Sequence, residues 1–121
     1  MNDLKPLVHS VLHATDFSGS GERAFAHALA IALMRMAELA ILHSAPDAIG
    51  EDEWSKYPSV RRTLERWGLL ERGSPRSAVF RQLSIGVTKV EARSRSPQAA
   101  IANFVAENRV DMIVLATEGR D

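Results

Sequence analysis

No cysteine occurs in the 121 residues, which excludes disulfide staples, Cys-ligated zinc and thiol nucleophiles. An excess of charge of either sign is also missing. Fifteen basic and fifteen acidic residues cancel, so no overall field draws in nucleic acid or an anionic membrane. Long hydrophobic runs are absent too. The most apolar stretch, Ala24 to Ala37, is interrupted by His27 and Arg35 and is too short to span a bilayer. Met1 to Pro6 carries Asn2, Asp3 and Lys5 and lacks the apolar core of a signal peptide. The expectation is a cytoplasmic protein that partners neither nucleic acid nor membrane.

What is present is the balance of an ordinary globular chain, 45% hydrophobic and 25% charged, with a length suited to one domain over residues 1–121. Val8 to Ala14 is a short apolar run closed by Thr15, Asp16, Phe17, Ser18 and Gly19, the pattern of a buried strand followed by a turn. Ser18 to Gly21 offers helix-start chemistry, with Glu22 at the positive end of the helix dipole. From Glu22 to about Met36, Ala24, Ala28 and Ala32 recur every four residues beside a bulkier stripe of Phe25, Leu29 and Leu33. Small residues on one stripe let a helix approach a sheet closely. Ala37-Glu38 reads as the turn and Leu39 to His43 as the second strand, ended by Ser44, Ala45 and Pro46.

The middle is less regular. Pro46 to Pro58 reads as a loop, Ser59 to Trp67 as a helix broken at Gly68, and Ser74-Pro75 as the cap and first position of a short helix through Leu83, closed by Gly86. Val87 to Arg93 alternates apolar and polar residues and predicts an edge strand. Ser96-Pro97 opens a further helix with Ile101, Phe104 and Val105 on one face, ending near Asn108. Met112 to Ala116 is a continuous apolar strand. Strands alternating with helices predict a parallel sheet covered on both faces.

Three blocks resemble the universal stress protein family: Ala14-Thr15-Asp16-Phe17-Ser18 ahead of a small-residue helix, Ala37 to His43 as the second strand, and Asp111 to Arg120 as the fourth strand entering a glycine loop. The resemblance implies a doubly wound, Rossmann-like α/β sheet of the adenine-nucleotide α-hydrolase type. Its spatial order here is 3-2-1-4, with the family's fifth strand and last helix missing from the chain. It further implies ATP, with Mg²⁺, at the carboxyl ends of strands one and four, where strand order reverses. Carried over, Thr15 and Asp16 approach the ribose or adenine side, Ser44 offers backbone groups to the adenine, and Ala116, Thr117 and Gly119 begin the phosphate cradle. The family's first cradle glycine is replaced by Ala116, and the motif beyond Gly119 runs past Asp121. Weak ATP binding or none is therefore expected of the chain as given, either because it is a piece of a longer protein or because a second chain, most simply another copy in a dimer, covers the fourth strand.

Other residues read more plainly. His9, His13 and His43 fall on neighbouring strands, but four residues separate His9 from His13, more than a dozen ångströms at about 3.3 Å per residue. One metal cannot take both, so packed histidines are expected. Gly19-Ser20-Gly21 lacks the third glycine of a dinucleotide fingerprint, since Ala24 stands there. Trp54, Tyr57 and Trp67 read as packing over the sheet, and the arginines between Arg61 and Arg81 as a solvated helical face. A receiver-domain phosphoacceptor is excluded because the third strand ends in Arg93-Ser94, and no G-x-S-x-G elbow is present. The reading is a non-enzymatic stress-response or regulatory domain of a family whose members include adenine-nucleotide binders, with weak binding or none expected of this chain. Its alternative is a nucleotide-free dimerisation or signalling module of the same family.

Overall fold

The computed structural model describes residues 8–15, 21–45, 54 and 57–116. In chain order these form β1 (Ser10–Thr15), α1 (Gly21–Arg35), β2 (Glu38–Ala45), α2 (Val60–Arg66), α3 (Ala78–Leu83), β3 (Val87–Arg93), α4 (Pro97–Glu107) and β4 (Met112–Leu115). The four strands form one sheet in the order β3-β2-β1-β4, and every pairing is parallel. This is the doubly wound order expected from the sequence. None of the helices among the described residues is long and apolar enough to cross a membrane.

Each face of the sheet has its own core, because alternate strand residues point to opposite sides. On one face Val11, Leu39 and Ile41 meet Phe25, Ala28, Leu29 and Ala32 of α1, together with Leu64, Val79 and Ile85. On the other, Leu12 and Leu42 meet Ala100 of α4, flanked by Val90, Ala92, Ile101 and Phe104. The alanine stripe of α1 is buried as its period requires. α4 turns slightly from the expected face: Ala100, Ile101 and Phe104 pack inward, while Val105 is exposed. Phe104 and Val105 are adjacent, about 100° apart around a helix of 3.6 residues per turn, and a narrow contact cannot hold both.

Helix ends follow capping chemistry. The hydroxyls of Ser59 and Ser96 accept from Arg62 N–H and Ala99 N–H. After α2, Gly68 adopts φ 79°, and Leu69 N–H donates to Leu64 C=O while Gly68 N–H donates to Glu65 C=O. This is the paired closure that favours glycine at a left-handed position. α1 closes in the same way with a side chain in the strained position, since Met36 has φ 52° and Ala37 N–H reaches Ala32 C=O.

The bounds of β1 and β2 differ from the sequence reading by one or two residues, and the start and end of α3 differ in kind. Ser74-Pro75 does not start α3. Ser74 bonds back to Glu71 C=O instead, and α3 begins at Ala78 behind Ser77, whose side chain makes no cap. α3 is closed by Ser84 at φ 64° and not by Gly86. The polar Ser-Pro pair carried the expected signal, but a turn with its own hydrogen bonds absorbed it.

At the amino end of β4, Asp111 ties the central strands together. Its carboxylate accepts from the backbone N–H of His9 (2.8 Å) and of Ser10 (3.1 Å), and its own N–H donates to Ser10 C=O. Those donors, led by His9 N–H, hold the Asp111 carboxyl below the usual carboxylate range, with Arg109 adding to the effect.

Candidate functional site

All four strands run the same way, so their carboxyl ends share one rim of the sheet. β1 feeds β2 through α1 on one side, while β4 returns to pair with β1 on the other. The reversal of strand order therefore lies between β1 and β4, where open α/β sheets leave a crevice beyond the strand ends.

Thr15 is the last residue of β1, opposite His43 of β2, and is buried. The β1–β4 ladder reaches Ala14 opposite Leu115, so Ala116 follows directly at the same rim and is exposed. A Cβ built on Gly21, at the start of α1, would stand 3.2 Å from Thr15 Oγ1. The helix thus enters close against the end of β1, and a side chain there would fill the narrow space beside Thr15. Ser44 differs from expectation: it lies inside β2, not after it, opposite Ala92 of β3. Its hydroxyl donates to Ser94 C=O at 2.9 Å. Thr15 and Ala116 therefore share the β1–β4 rim, whereas Ser44 faces the β3 side. Asp16, Thr117 and Gly119 lie outside the described residues.

A feature the sequence reading missed stands behind this rim. Tyr57 is buried, and burial pushes its phenol well above its ordinary range, with the neighbouring Thr15 side chain opposing the shift. Its ring packs edge-on to Phe25 of α1 at 5.4 Å and to Trp54 at 6.1 Å, and Trp54 in turn meets His43 at 6.3 Å. Aromatic pairs favour such edge-to-face contacts. The expected packing role holds for Trp54 and Tyr57, whereas Trp67 is 40% exposed. A lone tyrosine in a polar loop gives no periodic signal.

His13, at the centre of β1, is wholly buried. Its Nδ1 lies 3.1 Å from Val114 C=O, which sets Nδ1 as the donor. Nε2 then carries a buried lone pair with no partner among the described residues. Burial lowers the His13 pKa, partly offset by the bond to Val114. Among the described residues no cluster of His, Asp or Glu is able to hold a metal ion.

Residues 8–121 match the model of the universal stress protein family. The chain belongs to that family. Solved structures with the same fold include protein Rv1636 from Mycobacterium tuberculosis H37Rv, at 18% identity and TM-score 0.58, covering 94% of this chain and 75% of that one. A universal stress protein family member from Burkholderia pseudomallei aligns at 16% identity and TM-score 0.58, covering 92% and 83% of the two chains. The universal stress protein from Archaeoglobus fulgidus aligns at 19% and 0.55, covering 94% and 79%. No curated protein matches the chain. At these identities the likeness is one of fold, and universal stress protein membership rests on the family match.

Proposed function

We propose that this universal stress protein domain serves a stress-linked regulatory role by binding an adenine nucleotide, without turning it over, at the carboxyl ends of β1 and β4. The supporting observation is the reversal of strand order between those strands, with Thr15 and Ala116 side by side at the rim. The small residues fit a ligand that approaches backbone: Gly21 stands where a Cβ would crowd Thr15, and Ala116 adds one exposed methyl. When bound, ATP with Mg²⁺ would bring the phosphate charge that backbone N–H groups at such a rim receive. Thr15, at the end of β1, would orient the nucleoside side.

Calorimetry with ATP and Mg²⁺ tests the reading. Saturable, weak binding is expected, and Ala116→Leu should abolish it without changing the melting temperature, because position 116 is exposed. Binding that is absent, or indifferent to Ala116→Leu, would remove the nucleotide reading.

A second reading has its own support. β4 is an edge strand among the described residues, and Met112, Ile113 and Leu115 on it are 36%, 43% and 49% exposed. An apolar open edge favours association with another strand, and a second copy of this chain is the proposed partner.

A further inference from the structure

At the opposite edge of the sheet from β4, a cavity of about 650 Å³ opens between α2, α3 and the first half of β3. That volume falls within the range of small-molecule pockets, about 300–1,000 Å³. Its lining includes the buried apolar side chains of Val79 and Ile85 and the half-buried Val87. Two flat rings line it, Trp54 and Phe80, and Phe80 is 65% exposed. A phenylalanine left that open beside a buried apolar floor leaves a surface that a second apolar body would cover favourably.

The polar groups of this cavity are cationic. Arg61, Arg76 and Lys89 line it. Arg61 is neutralised by Glu65 at 3.0 Å, an ion pair along α2. Arg76 and Lys89 have no ion pair among the described residues. Lys89 instead lies 5.4 Å over the Trp54 ring, within cation–π range, which brings its ammonium close to the aromatic wall. Among the described residues, Glu65 also accepts from Gly73 N–H and Glu91, on the same face of β3, has a partner of its own, while the Glu38 carboxylate stands beside Gly86, one of the lining residues. The hydroxyl of Ser77 makes no capping bond and lines the same space.

We infer that this cavity binds a small organic acid, a carboxylate or sulfonate carried on a flat apolar ring system. The ring lies against Trp54 and Phe80 over the aliphatic floor. The acid group faces Lys89 and Arg76. A bare inorganic anion would leave the apolar floor uncovered, and a neutral aromatic would bring no counter-charge to Arg76 and Lys89. β2 lies between β3 and the β1–β4 rim, and Tyr57 is the lining residue nearest that rim, so this ligand sits on the β3 side and the nucleotide beyond the ends of β1 and β4.

Fluorescence titration with anilinonaphthalene sulfonate, a flat aromatic sulfonate, tests the assignment on the intact chain. One saturable site per chain is expected. Arg76→Glu with Lys89→Glu should weaken it by about tenfold or more, because the loss of one charge-assisted hydrogen bond suffices for that. Both positions are exposed, so circular dichroism should be unchanged. Phe80→Ala should weaken binding as well, while Ile113→Lys on the distant β4 edge and saturating ATP should leave it intact. Binding that survives the double charge reversal, that vanishes with Ile113→Lys, or that ATP displaces would overturn the proposal. ATP binding is measured separately by calorimetry, so failure here leaves the nucleotide reading standing, and the reverse also holds.

Discussion

His13 occupies the position on β1 where sequence pattern alone would place another valine. It is fully buried against Phe25 and Tyr57, with ring centroids 6.3 and 6.2 Å away, and only one nitrogen is satisfied. Protonating Nε2 would place a charge in this apolar setting, so the folded-state pKa is lowered by burial. The consequence for stability has a definite sign. Where the unfolded chain takes up a proton that the folded chain refuses, stability falls as pH falls. The loss begins as pH drops through the unfolded value of about 6.5 and continues down to the lowered folded value. His13→Gln removes the titrating group, so its melting temperature should change less between pH 7 and pH 5 than that of the parent chain. Equal slopes in thermal melts would show that His13 is not the source. The sequence placed this residue on a strand and marked it as packed, which was right. Its contact with Tyr57 was not legible, because Tyr57 enters from an irregular segment that no period describes.

Elements were legible where two local signals agreed. Val87 to Arg93 was read as an edge strand from its alternation, and β3 has those bounds and that place. Ser96-Pro97 combined a capping hydroxyl with proline at the first helical position, and α4 starts there. Ser74-Pro75 carried the same two signals three residues ahead of α3 and failed, because Ser74 found Glu71 C=O within its own turn. A capping dipeptide therefore says that a turn is near, while tertiary hydrogen bonding decides which turn. The rim residues show the same limit. Thr15 and Ser44 both read as residues that close a strand, and both lie within one, since pairing with β2 carries β1 to Thr15 and pairing with β3 carries β2 on to Ala45. The cap on α4 gives a direct test. Ser96 Oγ accepts from Ala99 N–H at 3.1 Å, and Ser96→Ala leaves that donor to solvent. A loss of about 1 kcal/mol is expected, read as a lower urea midpoint with an unchanged slope.

The whole molecule presents two unlike edges. β3 is polar along its outward positions, with Thr88, Glu91 and Arg93 exposed, and charged side chains discourage strand addition there. β4 has no such protection: Met112, Ile113 and Leu115 are all exposed beside an edge with no strand against it among the described residues. A formal net charge of zero removes the mutual repulsion that would keep copies of the chain apart. Association through β4 should therefore show as a mass that rises with concentration in sedimentation equilibrium. Ile113→Lys places a charge in the middle of that edge, where burying it unpaired costs more than one apolar side chain contributes. The variant should remain monomeric across the same range while keeping the circular dichroism of the parent chain. A parent chain that is monomeric throughout would remove the dimerisation reading. A variant that still associates would move the interface away from β4, to another of the exposed apolar sites such as Met34 and Met36 at the end of α1.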